Sequence, residues 1–277
     1  MIVWLDGRLV PEDDAAISIH DRGFLHGDAV FETALLQGGG FFRLRGHLQR
    51  FVASAATMRI PAPDVPEIER IIREVVRANA LRDANIRMML TRGVRAPVLL
   101  VTAQPREPSR PGRRNEGWRI ITAHTRRPST AAVPAQLKAV GRTYALLARL
   151  EAADAGVDDV LLLTDQGHIC EGPTWNVFWR RGDLLCTPAA DAGVLAGVTR
   201  AALLELAPAH GLRVREGLFD RSELDHADEI FATMTSVGIV PFRELDGRAL
   251  PAETGMAHAL LDSYRELVAR ESVLEPL

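Results

Sequence analysis

The sequence of 277 residues predicts an α/β protein of the α+β kind with two domains, on three observations. Stretches with strand and helix patterning come in runs and not in strict alternation, which favours segregated sheets and helices over a doubly wound parallel sheet. Asp6-Gly7 stands between two short apolar runs, the signature of a tight hairpin and so of an antiparallel sheet at the start. The segment 126–134, Arg-Arg-Pro-Ser-Thr-Ala-Ala-Val-Pro, has the bias of a connection between domains. The boundary is placed there, with an N-terminal domain over 1–125 and a C-terminal domain over 126–277. At 47% hydrophobic residues the chain can bury its cores without staples.

The elements follow in order. Residues 1–10 read as two strands about Asp6-Gly7, and residues 29–36 pair with 41–44 across the glycines at 38–40. Between His47 and Met58 the positions Leu48, Phe51, Val52, Ala55 and Met58 recur at spacings of three and four, one buried helical face. Pro61 and Pro63 end that helix. Ile68, Ile71, Ile72, Val75 and Val76 mark a second helix over 65–80, and residues 86–92 and 98–102 read as strands. A polar, proline-rich stretch over 105–116 reads as an exposed loop. The second half opens with a helix over 144–155 that Gly156 stops. Strands are expected over 159–163, 168–170, 176–179 and 184–187, then a helix over 199–209 closed by Gly211. Strands near 212–215 and 229–234 and a final helix over 252–270 complete the chain.

Composition narrows the function. A net charge of -3 with interspersed signs is no footprint for nucleic acid or an anionic membrane. Cys170 and Cys186 have neither metal-ligand spacing nor the density of a disulfide scaffold, which points to a reducing compartment. The start carries no basic segment leading into an apolar one, and no run reaches spanning length. The expectation is a cytoplasmic protein. The eight histidines form no HExxH pair, and there is no GxSxG elbow, Walker loop or GxGxxG loop.

One residue type is all but missing. Of 33 basic residues a single one, Lys138, is lysine, which leaves 32 arginines. Guanidinium stays protonated, whereas a desolvated amine can lose its proton and attack a carbonyl to form an imine. Such a lysine needs an aldehyde or ketone partner. The sequence also holds a possible anion cradle, Gly193-Val194-Leu195-Ala196-Gly197-Val198-Thr199-Arg200 leading into a helix. It holds a carboxylate, Glu171, at a strand end beside a tight turn. Each of these two, taken alone, is also what an ordinary turn looks like.

Together the segments resemble the class IV aminotransferases, the fold-type-IV enzymes of pyridoxal phosphate. The blocks are Asp21-Arg22-Gly23 with His26-Gly27-Asp28-Ala29-Val30-Phe31-Glu32-Thr33; His47-Leu48-Gln49-Arg50-Phe51 with Ser54-Ala55; Thr91-Arg92-Gly93; Lys138 with Glu151-Ala152; Glu171-Gly172 with Asn176-Val177-Phe178; Gly197-Val198-Thr199-Arg200; and Ala227-Asp228-Glu229 with Thr235. The resemblance implies a smaller N-terminal α/β domain, a larger, mostly β C-terminal domain with helices, and pyridoxal 5'-phosphate at the domain interface. It implies a homodimer with shared active sites. Lys138 becomes the imine-forming lysine and proton shuttle, and Glu171 the partner of the ring nitrogen. Arg50 grips the phosphate with the N–H groups of Val198 and Thr199 and the hydroxyls of Thr199 and Thr235. Tyr144, six residues after the lysine, stands as a partner of the phenolic oxygen or as a core tyrosine.

The blocks look closer to D-amino-acid aminotransferases and aminodeoxychorismate lyase than to branched-chain enzymes. The Ser-Pro-Arg-Ala-His carboxylate trap typical of the D-amino-acid enzymes is absent after Thr91-Arg92-Gly93. Arg87, alternating along a strand that lines the family's pocket, is the substitute expected for it. Phe31 and His26 are the further substrate residues, His26 reaching the neighbouring subunit's site. The expected reaction moves an amino group from a D-amino acid, with (R)-primary amines as a further donor class, to a 2-oxo acid. The alternatives are a lyase releasing 4-aminobenzoate and pyruvate from aminodeoxychorismate and a branched-chain L-amino-acid aminotransferase.

Overall fold

The computed structural model describes residues 1–106, 117–250 and 255–274. Most of the stretch read as an exposed loop, 107–116, lies outside the described residues. By backbone proximity the chain divides into two compact units. The first comprises Met1–Glu107, Leu137–Arg142 and Leu267–Leu277, the second Pro108–Gln136 and Thr143–Glu266.

In the first unit β1 (Ile2–Leu5) and β2 (Arg8–Pro11) form the expected hairpin, with Asp6 and Gly7 both at positive φ. Then come α1 (Arg22–His26), β3 (Ala29–Gln37), β4 (Gly40–Phe42), α2 (Leu44–Thr57), α3 (Val65–Ala78), β5 (Ala84–Thr91) and β6 (Val98–Pro105). The six strands make one antiparallel sheet in the order β2-β1-β6-β5-β3-β4. Alternation sorts its faces. Val30, Ala34 and Leu36 of β3 and Ile86, Met88 and Leu90 of β5 join the apolar faces of α2 and α3 in one core. The intervening residues, Phe31, Thr33, Arg87 and Met89, face the other way.

The start of α3 is written in its sequence. The Asp64 carboxylate accepts from the Glu67 N–H at 2.8 Å and Pro66 occupies the first turn, where a missing N–H costs nothing. Asn79, after the last turn, exchanges hydrogen bonds with the backbone N–H and C=O of Ile2 at 2.8 and 2.7 Å, which ties the helix end to β1. The strand expected to run through Leu44 stops at Phe42. Arg43 adopts the left-handed conformation, φ 51°, and its guanidinium is held by Glu271, so Leu44 opens the helix instead.

The second unit holds β7 (Trp118–Thr122), α4 (Thr143–Ala155), β8 (Asp159–Leu161), β9 (Asn176–Arg181), β10 (Leu184–Pro188), α5 (Val198–Leu206), β11 (Arg213–Gly217), β12 (Glu229–Met234), β13 (Gly238–Leu245) and β14 (Arg248–Ala249). Its mixed sheet runs β11-β10-β9-β12-β13-β7-β8, with β14 on β13. The helix α6 (Met256–Leu274) belongs to the second unit as far as Glu266 and to the first from Leu267.

Three strands here were not expected, β7, β13 and the two-residue β14. Pro241 argues against a central strand because it cannot donate to a ladder, yet β13 lies between β12 and β7 with Pro241 opposite Phe231 and a register shift just beyond, between Phe242 and Glu244. Residues 168–170, expected as a strand, make only single bridges, Leu163 with Ile169 and His168 with Asp220. The helix expected to run to 209 changes after Leu206 to a 3-10 turn around Pro208.

Candidate active site

In the first unit the site is built on one open sheet edge. The strand β4 pairs only with residues 35–37 of β3, which leaves the edge of β3 near Ala29 to Phe31 unpaired. Residues 138–140 fill it. The Phe31 N–H donates to the Lys138 carbonyl at 3.1 Å, and the Val140 N–H to the Ala29 carbonyl at 2.8 Å. The Lys138 N–H donates to Ser54 Oγ, on the buried face of α2, at 3.2 Å. Strand edge and helix thus fix the backbone of residues 138–140 at three points, two of them on the single lysine.

Because residues 138–140 lie along the edge, Lys138 answers to both faces of β3. On the helix face Glu32 is fully buried. Its carboxylate accepts from Arg50 Nε at 2.6 Å and from the Thr33 N–H at 2.7 Å, and it meets His47 Nδ1 at 3.0 Å. Arg50 and His47 are three apart on α2, so both point to the same spot. Burial pushes the Glu32 pKa up, but the charge of Lys138, the hydrogen bond from His47 and the charge of Arg50 outweigh it, and the carboxyl is held well below its ordinary range. Burial pushes His47 the other way, below the ordinary range, against the pull of Glu32. A neutral His47 donates through Nδ1, and its buried Nε2 has no partner among the described residues.

On the opposite face the ring of Phe31 gathers cations. Arg87 pairs with Thr33 and is thus the diagonal neighbour of Phe31. Its guanidinium carbon lies 4.6 Å from the ring centroid, that of Arg142 4.8 Å, and Lys138 Nζ 4.9 Å. Desolvation lowers the Arg87 pKa. No carboxylate pairs with Arg87 among the described residues. His26, the last residue of α1, is exposed.

The second unit contributes a different set. Glu171 is buried, 6% exposed. Its Oε2 accepts from Asn176 Nδ2 at 3.1 Å and from the Leu195 N–H at 2.9 Å, while Oε1 faces Arg127 Nη1 at 3.2 Å. Arg127 is buried too. It also bonds the Tyr144 hydroxyl and donates to the Gly193 carbonyl at 3.2 Å. Burial works against its charge, but Glu171 prevails and raises the Arg127 pKa. Tyr144 therefore sits in the surroundings of Glu171. Beyond Leu195, Gly197 opens α5 with no side-chain cap, and the N–H groups of Val198 and Thr199 have no acceptor among the described residues. A side chain at Gly197 would drive its Cβ into Asn176 Oδ1, so only glycine allows this approach. Thr199 Oγ1 lies 3.4 Å from the Tyr264 hydroxyl. Thr235 follows the end of β12 in the turn to β13.

The family model described as amino-transferase class IV matches residues 29–245 of this chain. The chain belongs to the class IV aminotransferase family. Over 261 residues it is 35% identical to a putative branched-chain-amino-acid aminotransferase of Methanocaldococcus jannaschii, with 90% of each chain covered. It is 30% identical to a D-alanine aminotransferase of Listeria monocytogenes, covering 95% of this chain and 94% of that one. Among solved structures, a T.th. branched-chain amino acid aminotransferase with pyridoxamine 5'-phosphate superposes with a TM-score of 0.91 at 29% identity, over 97% of this chain and 94% of that one. This class IV aminotransferase has the two-domain α/β fold of type IV and is a pyridoxal-phosphate enzyme.

The residues present fit that cofactor. An aldehyde calls for an amine, a pyridine nitrogen for a buried carboxylate, and a phosphate for unspent N–H donors at a helix start. The aminotransferase has all three in Lys138, Glu171 and the uncapped start of α5. Four side chains that the sequence did not single out for a role are now placed, Glu32, His47 and Arg142 in the first unit with Lys138, and Arg127 in the second with Glu171. Glu32 could have been found, since alternation along β3 sets it among the buried residues Val30, Ala34 and Leu36. His47 shares the buried face of α2. Arg142 gave no sign of its own, being one of 32 arginines. Arg127 lies in a proline-flanked stretch read as a linker, and nothing in that pattern marks a buried ion pair.

Proposed function

We propose that this aminotransferase moves an amino group from a D-amino acid to 2-oxoglutarate or pyruvate, and that (R)-primary amines form a further donor class. The observation that carries the reading is Arg87, held over Phe31 with no protein carboxylate beside it among the described residues. The guanidinium of this exposed arginine can offer two parallel hydrogen bonds to a carboxylate. The D-alanine aminotransferase relative and the Asp21-Arg22-Gly23 block support the donor's hand. Pyridoxal phosphate, when bound, supplies an aldehyde and an electron-accepting ring.

Each residue has a task toward it. Lys138 presents the amine to the aldehyde and afterwards carries the proton to and from the substrate Cα. Glu171 keeps a proton on the ring nitrogen, with Arg127 and Asn176 fixing its carboxylate. Arg50 grips the phosphate, supported by the N–H groups of Val198 and Thr199 and the hydroxyls of Thr199 and Thr235. Tyr144 serves the phenolic oxygen. Arg87 holds the substrate carboxylate above Phe31, and His26 acts as a second donor in the neighbouring subunit.

That last role requires a homodimer. Ile19, Phe24, Leu25 and Val94 are more than half exposed in the first unit, and Leu146, Leu147 and Leu150 form an exposed stripe on α4. Apolar side chains grouped in this way suit a self-complementary interface, and sedimentation at the mass of a single chain would contradict it. We also place the enzyme in the cytoplasm. No helix among the described residues is long and apolar enough to cross a membrane, and Cys170 and Cys186 are unbridged.

Glu32 is expected to act through Arg50. In Glu32→Gln the charge-assisted bond to Arg50 is lost, worth about 1.5–3 kcal/mol. The dissociation constant of the cofactor should then rise roughly tenfold or more, read from the absorbance of retained cofactor on dilution. Unchanged retention would remove Glu32 from this role.

A donor panel tests the reaction itself. The yellow enzyme is mixed with D-alanine, D-glutamate, (R)-1-phenylethylamine, L-leucine and L-valine, and bleaching toward the aminated cofactor is followed. Bleaching by the D- and (R)-donors and not by the L-donors is expected. Bleaching by L-leucine or L-valine alone establishes the branched-chain reading. No bleaching at all, with pyruvate release from aminodeoxychorismate, establishes the lyase.

A further inference from the structure

The ring of Phe31 carries two guanidinium groups, and the proposed carboxylate contact uses only one. Arg142 is no accident of a mobile chain. Its N–H donates to the Val140 carbonyl at 2.7 Å, closing a tight turn, and Val140 is itself bound to β3. Gly141, the residue before it, lies against Gly27, where an added Cβ would stand 2.8 Å from the Gly141 Cα. Gly27 is in the left-handed conformation, φ 66°, so both steric space and backbone require glycine there. The turn is thereby pressed against the end of α1, and Arg142 leaves it toward Phe31. Its Nε is buried, although the residue as a whole is partly exposed, and its guanidinium carbon lies 4.8 Å from the Phe31 centroid.

Arg87, Arg142 and Lys138 each lie within 5 Å of one centroid. Any two of them are therefore closer than roughly one Debye length of ~10 Å at 0.1 M salt, and they repel. Lys138 is answered by the buried carboxylate of Glu32. One carboxylate fits the fork of one guanidinium with two parallel bonds, and its lone pairs are then largely spent. Two forks on one ring suit two carboxylates. A substrate with a single carboxylate and an apolar side chain would instead set that side chain against a cation.

We propose that Arg142 is a specificity-determining residue that binds the side-chain carboxylate of a dicarboxylic substrate, the glutamate and 2-oxoglutarate class, while Arg87 holds the α-carboxylate. The assignment rests on the reading of Arg87 as a carboxylate anchor, and it extends that reading to the distal end of the substrate. It does not depend on the hand of the amino donor.

The test therefore uses the 2-oxo acid half of the reaction. The enzyme in its pyridoxamine form is mixed with 2-oxoglutarate, pyruvate or 4-methyl-2-oxopentanoate, and single-turnover rates are measured for the wild type, Arg142→Gln, Arg142→Lys and Arg87→Gln. In Arg142→Gln the preference for 2-oxoglutarate over pyruvate should fall about a hundredfold, as loss of a charge-assisted contact implies. Pyruvate itself should lose no more than a few-fold. Arg142→Lys should recover part of the preference, and Arg87→Gln should slow every acceptor. A binding readout stands beside the rates: glutarate raises the Tm of the wild-type holoenzyme and pentanoate does not, and the glutarate shift disappears in Arg142→Gln. An equal loss with 2-oxoglutarate and pyruvate, or a glutarate shift that survives, overturns the assignment of Arg142. A wild type that reacts with no acceptor except 4-methyl-2-oxopentanoate overturns the dicarboxylate class. A loss of selectivity in Arg142→Gln while Arg87→Gln behaves as wild type sinks the anchor reading and leaves the distal contact standing.

Discussion

Lys138→Ala abolishes transamination, with kcat falling about ten-thousand-fold or more, the upper end of what one positioned proton carrier contributes. The same variant loses the covalent hold on the cofactor, so both chemistry and spectrum change. No second lysine exists to stand in, and arginine cannot, because its guanidinium does not give up a proton in the accessible pH range. The fold should survive. Three backbone hydrogen bonds at 138–140 hold this segment to β3 and α2, and none of them involves the side chain. Full-length folded protein with no turnover, with partial rescue by added methylamine or ethylamine, is the expected result. Turnover within tenfold of the wild type would show that the amine has another task.

The second large effect is expected at Glu171. Glu171→Gln keeps the shape and replaces a carboxylate by an amide, so the ring nitrogen loses the group that keeps it protonated. Removal of one preorganised electrostatic partner costs about a hundred- to a thousand-fold in kcat, and that loss is expected here with little change in KM. The variant also leaves Arg127 buried beside a neutral group. Breaking a buried pair from one side costs on the order of 3 kcal/mol, so the Tm should fall as well. The two effects can be separated. Combining Glu171→Gln with Arg127→Met removes the orphaned charge and should recover most of the Tm, whereas kcat stays low. Recovery of activity together with stability would mean that Glu171 only holds the fold.

Much of the frame was legible because it rests on local chemistry. Asp6-Gly7 can be little other than a tight turn, and Asp64 with Pro66 and Glu67 announces a helix start before any partner is known. Alternation along β3 separates Phe31 from Val30 and Ala34, and so foretells which residues face the helices. The class IV resemblance, drawn from blocks spread over most of the chain, is shown by the family match over 29–245. Other parts depend on distant partners. Pro241 reads as a strand breaker, and only the neighbours of β13 and the register shift beside it reveal how it is accommodated. Arg43 turns into the left-handed region where Glu271, 228 residues on, receives it. Arg127 looks like linker arginine until Glu171 and Tyr144 are folded against it. Arg142 lies far along the chain from Arg87, and their shared ring becomes visible only when the turn at 140–142 is fixed beside β3.

One measurement bears most directly on the role of the single lysine. The yellow enzyme is reduced with sodium borohydride, digested and mapped by mass spectrometry, since reduction makes the link between amine and cofactor permanent. A single pyridoxyl-phosphate label on Lys138, absent from Lys138→Ala, is the predicted result. A label on the N-terminal amine of Met1, or a fully active enzyme that carries no label after reduction, would contradict it.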